Sequence, residues 1–296
     1  MIKKIITRIL IVCVVLCAGA ALIWHLNGAR WQNEYAAFRK TGAPILMYHA
    51  ISDEEGDQWP KSLIIKPAVF EEQLKYLKSQ GYTIVTVAEL AQRLENGESV
   101  DRYIALSFDD GYKNNYSVAL PLLQKYDAKA SFFVINRDIG DELHMNEQEI
   151  KGLIAAGMEL GSHSYSHNPL AKIDEKYLVW ETDTSRYWLK KKFDGYIVRT
   201  LAYPNGSYDE KVMAAAKKYG FYRALTGHVG VNTAVSYQNA PMEMYRVNII
   251  DEDIEGFVKR LDHAYLFGFL QTKGFDINII RDLFVNLNCN KKLHTF

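Results

Sequence analysis

Between Pro44 and about residue 250, short apolar runs alternate with amphipathic stretches, and this alternation limits the possible folds more than any other feature. The runs are "PILMYHAI", "YTIVTV", "RYIALSF", "KASFFVI", "GMELGSH", "VRTLAYP", "YRALTG" and "YRVNII". Among the intervening stretches, "PAVFEEQLKYLKSQG" sets Phe70, Leu74 and Leu77 at helical spacing, with Pro67 near its start and Gly81 at its end. "NEQEIKGLIAAG" and "YDEKVMAAAKKYG" also end in glycine, as helices often do. Strand-like runs alternating with helices imply a parallel sheet, open or closed. So many βα units favour closure into a barrel. A chain of 296 residues has room for one such domain with a substantial core.

The two ends read differently. "MIKKIITR" is basic, and Ile9 to Trp24 follows without a charge. With Ile5, Ile6 and Leu26 added and Arg8 snorkelling, the run is long enough for one transmembrane helix. Basic residues ahead of it place the N-terminus in the cytoplasm and the remainder outside. "AGA" at 18–20 also resembles a signal-peptide cleavage site, which would make the domain a secreted one. The chain then divides into a membrane anchor or signal segment at 1–26, a polar helical linker at 27–43, the α/β domain at 44–261 and an extension at 262–296 without a βα pattern. Cys13 and Cys17 lie in the apolar run and Cys289 near the end, so no disulfide framework is expected. Lysine and arginine balance aspartate and glutamate, 35 against 35, which gives no sign of a nucleic-acid partner.

The chemistry gathers at run ends. In α/β folds the site lies at the carboxyl ends of the strands. "SFDDG" puts Asp109 and Asp110 at such an end. Neighbours on an extended segment point to opposite sides, so one carboxylate can hold a cation while the other handles a proton. "GSHSYSHNPL" presents His163 and His167, whose i, i+4 spacing would share one face of a helical turn and grip one metal ion. One carboxylate and two imidazoles leave positions for water and substrate. "LAYPNGSY" ends a strand in a Pro-Asn-Gly turn, which can aim a backbone N–H at a developing oxyanion.

In this order and spacing, "SFDDGY", "HSYSH" and "AYPNG" resemble the polysaccharide deacetylases with a NodB-type domain, carbohydrate esterase family 4. The resemblance spans roughly Pro44 to Leu261. It implies a distorted (β/α) barrel and a divalent metal, usually zinc. It also implies removal of N-acetyl groups from N-acetylglucosamine-containing polymers at the cell surface. Carried over, Asp110, His163 and His167 bind the metal, Asp109 is the general base, and the Asn205 backbone N–H serves the oxyanion. "PILMYHAI" looks like the opening of the branch acting on poly-N-acetylglucosamine, in which this segment supplies a histidine to the site; here that is His49. As a strand-end histidine it is a candidate general acid, or else packs beneath the mouth.

The chain departs from the family pattern in places. Ala202 stands where many members have an arginine, Arg199 comes three residues early, and Arg246 in "YRVNII" is a candidate substitute. Asn205 replaces a tyrosine. "LDH" at 261–263 matches the late leucine-x-histidine motif in form only, since it follows a helical segment. Trp59, Tyr112 and Tyr165 are candidates for stacking on sugar rings. Two other readings stay open: a different zinc amidohydrolase acting on cell-wall fragments, and a membrane-tethered glycan-binding module without activity.

Overall fold

The computed structural model describes residues 28–53 and 61–275. The expected membrane segment 1–26, Trp59, all three cysteines and the extension beyond residue 275 lie outside the described residues. Among the described residues, no helix is long and apolar enough to cross a membrane.

The strands are β1 (Ile45–Tyr48), β2 (Ala50–Ile51), β3 (Ile64–Ile65), β4 (Thr83–Val85), β5 (Tyr103–Phe108), β6 (Ser131–Val134), β7 (Glu159–Ser162), β8 (Thr200–Ala202), β9 (Arg223–Leu225) and β10 (Val247–Asn248). The main sheet runs β10-β1-β5-β6-β7-β8-β9 and is parallel throughout, while β2 and β3 form a separate small pair. Residues 241–249 join its two edges. Ala224 N donates to Pro241 O, Met244 N to Ala224 O and Thr226 N to Met244 O, each at 3.0 Å. A few residues on, Val247 sits opposite Leu46 of β1. The expected α/β barrel is present, and its distortion has a visible source. One edge of β5 has two partners: β4 along Tyr103–Ala105 and β6 along Ser107 and Phe108. "YTIVTV" therefore forms a strand off the barrel circuit.

Alternation along the strands sorts the side chains. Leu46, Tyr48, Leu106, Phe108, Phe132 and Leu160 belong to the larger apolar core, shared with Phe70 and Leu74 of the helix Pro67–Ser79 and with Phe257 and Leu261 of the helix Ile254–Thr272. Ile45, Ala105, Phe133, Ala202, Leu225 and Met244 form a second cluster, the barrel interior, closed by Val87, Leu90 and Leu94 of the helix Val87–Glu95. Gly161 belongs to this packing. A Cβ there would lie 2.3 Å from the Phe133 ring, so only glycine lets that ring fill the interior.

Two of the expected boundaries fall inside the packed domain. Residues 28–41 are helical, and Tyr35 and Phe38 pack on Phe269 at ring-centroid distances of 5.4 and 5.8 Å. Arg39 donates to Asp262 at 2.6 Å. The boundary after Leu261 cuts the helix Ile254–Thr272, which also buries Ala264, Tyr265, Gly268 and Phe269. Its apolar residues recur at three- and four-residue steps, as for any helix lying on a core.

Candidate active site

Three strand ends build the site. Asp109 and Asp110 follow β5, His163 follows β7, and His49 follows β1. The loop after His163 brings His167 back to the same mouth. Asp110 Oδ1 lies 3.4 Å from Nε2 of His163 and 3.4 Å from Nε2 of His167. Candidate ligand atoms of these three residues all lie within 4.8 Å of one another. No hydrogen-bond donor reaches the buried Asp110 Oδ1. A buried carboxylate oxygen left without a donor is costly and needs a reason. A cation supplies one. Ligands about 2.1 Å from a tetrahedral zinc ion stand about 3.4 Å apart. The donor set fits a divalent metal.

The backbone reaches this geometry by routes other than those expected. The histidine pair does not lie on a helical turn. Residues 163–169 are a loop in which Ser164 and His167 take φ of 65° and 62°. Nor does "DD" continue the strand: Asp110 has φ 69° and Gly111 φ 80°. The two carboxylates therefore do not face opposite sides. Both approach His163 Nε2, Asp109 Oδ2 at 3.9 Å and Asp110 Oδ1 at 3.4 Å. Left-handed backbone at a residue other than glycine is unfavourable, and it collects where function requires it. Asn205, on the turn after β8, is another case, with φ 54° and an exposed side chain.

His163 is buried, and its Nδ1 lies 2.8 Å from the Ala202 carbonyl oxygen. That contact places the proton on Nδ1 and leaves Nε2 facing Asp110 as an acceptor. Burial lowers its pKa, although Asp109 and Asp110 oppose this. His167, with a side chain 30% exposed, forms the solvent side of the cluster.

Asp109 is the other buried carboxylate. Arg246 Nη1 donates to Oδ1 and Oδ2, both at 2.8 Å. Burial works to raise this carboxyl, but Arg246, then His163 and His49, outweigh it and hold it below the ordinary range. Arg246, the candidate substitute, thus pairs with Asp109, while Ala202 contributes the carbonyl that orients His163. Arg246 is itself fixed by Nε donating to Thr226 O at 2.8 Å. Arg199 precedes β8, at the opposite end of the barrel, where its guanidinium stacks on Tyr222.

His49 is partly buried, and Asp109, Asp110, Arg246 and His163 act on it electrostatically. Burial lowers its pKa, with the two aspartates opposing. Its carbonyl accepts from Asn115 Nδ2 at 2.7 Å. Tyr112 is not an open sugar platform. It is 9% exposed, stacks on His144 at 5.1 Å, and has its phenol pKa raised by burial and by neighbouring Asp110. Tyr165 stands between the metal-type histidines and meets the half-exposed Trp180 edge-on at 5.2 Å. His263 is exposed on the C-terminal helix, away from the strand ends. Glu181, buried against the histidine loop, carried no signal in the sequence, because an acidic residue on a helix is ordinarily solvated.

A carboxylate–imidazole cluster open to solvent on the His167 side, beside a second buried carboxylate at the carboxyl ends of barrel strands, is an arrangement suited to hydrolysis. A profile described as polysaccharide deacetylase matches residues 96–224. A Bacillus subtilis (strain 168) protein, YxkH, named as a polysaccharide deacetylase, is 31% identical over 210 residues, which cover 70% of this chain and 71% of that one. The poly-β-1,6-N-acetyl-D-glucosamine N-deacetylase of Staphylococcus aureus (strain MSSA476) is 27% identical over 216 residues, 68% of this chain and 73% of that one. The Streptococcus pyogenes deacetylase PplD, solved in complex with acetate, superposes with a TM-score of 0.68 at 26% identity, covering 75% of this chain and 98% of that one. The chain belongs to the polysaccharide deacetylase family and is a hydrolase of carbon–nitrogen bonds other than peptide bonds. The profile's span includes the two aspartates, the histidine pair and the Pro-Asn-Gly turn; His49 and Arg246 lie outside it.

Proposed function

We propose that this protein removes N-acetyl groups from a poly-N-acetylglucosamine-type surface polysaccharide, with a divalent ion held by Asp110, His163 and His167. The observation that carries this reading is the convergence of those three donors, one of them an orphaned buried carboxylate oxygen, beside Asp109. The choice of polymer is supported by the "PILMYHAI" opening and by the staphylococcal relative. When bound, the ion supplies Lewis acidity toward water and the acetyl carbonyl; two imidazoles and a carboxylate suit zinc.

The protein's own residues do the rest. Asp109, kept ionised by Arg246, accepts the proton that the attacking water gives up. The Asn205 N–H donates to the carbonyl oxygen as water adds to the carbon and negative charge grows there. His49 gives a proton to the nitrogen as the C–N bond breaks. Acetate and a free amine result. The buried, ion-paired Asp109 is the reason to prefer an enzyme over an inactive glycan-binding module.

The test is acetate release by the full chain in detergent from β-1,6- and β-1,4-linked N-acetylglucosamine oligomers and from muropeptides. Release from β-1,6 oligomers, lost on chelation and restored by zinc, is expected. Release that ignores a chelator, or none from any glycan, overturns the reading. We also propose that residues 1–26 tether the domain outside the cell membrane, on the strength of the basic stretch before the apolar run. Protease added to intact cells should then remove the domain; full protection in spheroplasts would contradict this.

A further inference from the structure

Glu181 lies on the helical stretch that follows the histidine loop, inside the π-helical turn Trp180–Thr184, and is 4% exposed. Its carboxylate reaches back to the loop. Oε2 accepts from Tyr165 N at 3.0 Å and from Ser166 N at 2.9 Å. Oε1 accepts from the Ser166 hydroxyl and from Asn168 Nδ2, the latter at 3.5 Å. Three of these donors lie between His163 and His167, and the fourth is one residue beyond.

Two successive backbone N–H groups turned toward one point form a nest for an anion. Here the anion is the chain's own carboxylate. The loop has need of it. Ser164 and His167 are both left-handed, a backbone state that is unfavourable for residues other than glycine and needs support from its surroundings. Without Glu181 the two N–H groups would be left partly buried and unpaired. The same helical stretch also steadies the other histidine. Ser185 Oγ is 2.6 Å from the hydroxyl of Ser162, the residue before His163, and Ser185 donates to Asn136 Oδ1 at 3.0 Å. π-turns are uncommon and often mark functional sites. In this one Glu181 faces the loop, and Ser185, just past its end, faces β7.

We propose that Glu181 is a positioning residue for the metal centre: its carboxylate shapes the loop so that His167 Nε2 stands within ligand distance of Asp110 and His163. This rests on the metal reading above. A purely structural staple would lower the stability of Glu181→Ala and leave the metal affinity of the folded protein unchanged. A positioning residue changes that affinity.

The experiment uses the full chain in detergent, with zinc affinity measured by competition against a chromophoric chelator. The visible spectrum of the cobalt(II) form reports the ligand set. Glu181→Ala should weaken zinc binding about 10- to 100-fold, the range for residues that orient metal ligands, and lower the cobalt absorption. Glu181→Gln keeps an acceptor oxygen for the two N–H groups and should stay within a few fold of the parent. If Glu181→Ala does not fold, Ser166→Ala takes its place. It deletes one bond of the set and should weaken zinc binding several fold. Parent-like zinc affinity in folded Glu181→Ala, or in Ser166→Ala where that is the variant read, overturns the assignment. A parent protein that binds no metal would instead bring down the reading on which it rests.

Discussion

Asp110 and Glu159 are both buried carboxylates, and they sit at opposite ends of one barrel. Glu159 opens β7 at the amino-terminal end. Its oxygens accept from Ser131 Oγ at 2.6 Å, Thr200 Oγ1 at 2.6 Å and Ala88 N at 2.8 Å. That last donor lies in the first turn of the helix Val87–Glu95, where a negative charge is favoured. Asp110 follows β5 at the carboxyl-terminal end, with one oxygen that no donor reaches and two imidazoles 3.4 Å away. The backbone differs in the same sense: Glu159 is regular strand, whereas Asp110 has φ 69°. Burial alone therefore does not mark a site. A satisfied carboxylate on regular strand closes the barrel, and an unsatisfied one on left-handed backbone has the features expected of a ligand.

The comparison breaks most directly at Asp110. Asp110→Ala removes one of three protein donors and should abolish tight metal binding and nearly all activity. Elemental analysis of the purified variant checks it. Full occupancy would mean that the orphaned oxygen is not a ligand. Next comes Asp109→Asn, which keeps the carboxylate's shape but cannot take a proton. A loss of about 10²- to 10⁴-fold in kcat with metal retained is expected. Metal loss in Asp109→Asn, with retention in Asp110→Asn, would reverse the two roles.

His49→Gln tests a group at the same mouth but further from the metal-type cluster, and a loss of about 10²-fold in kcat is expected. The sign of its pH dependence follows from its surroundings. An acid must be protonated, and burial lowers this imidazole's pKa. The activity it supports should fall as pH rises through a value below the usual imidazole range. Glutamine should flatten that basic limb of the kcat/KM profile. An unchanged profile, or a larger loss in His263→Gln, would move the role elsewhere.

Much of this was legible in the residues, because local pattern and local structure agree. Run ends such as "SFDDG" and "GSHSYSH" carry both the strand and the chemistry in a few letters. What stayed hidden depended on contacts distant in sequence or on unusual backbone. Arg246 is legible as a candidate substitute arginine in "YRVNII", but it meets Asp109 across 137 residues, and nothing near either one shows which carboxylate it pairs with. The histidine spacing suggests a helix, but Ser164 and His167 adopt left-handed backbone, which is uncommon outside glycine and which the spacing does not signal. The strand Thr83–Val85 resembles its neighbours in composition and is displaced from the circuit only because β6 takes the second half of the same β5 edge. Tyr112 reads as an open aromatic until the fold buries it against Asp110.

The smallest effect on catalysis should come from Glu159→Gln, and that null result sharpens the comparison most. Glutamine fills the same space and keeps one acceptor oxygen. If that oxygen faces Ser131 and Ala88, the amide nitrogen meets the Thr200 hydroxyl, which already accepts from Arg223 Nε at 2.9 Å. The hydroxyl can still accept from that nitrogen, but its own proton then loses the buried acceptor it has in the parent. The cost should be about 1–3 kcal/mol. For a domain of this size each kcal/mol lowers Tm by about 2–4 °C, so thermal unfolding should move down by several degrees. Metal content and kcat per folded molecule should match the parent, because nothing at the amino-terminal end touches the reacting groups. Equal stability with a large loss of turnover would show that the two ends are coupled through the barrel interior, by way of Phe133 and Gly161. In that case a satisfied carboxylate would no longer be a sign of a purely structural one.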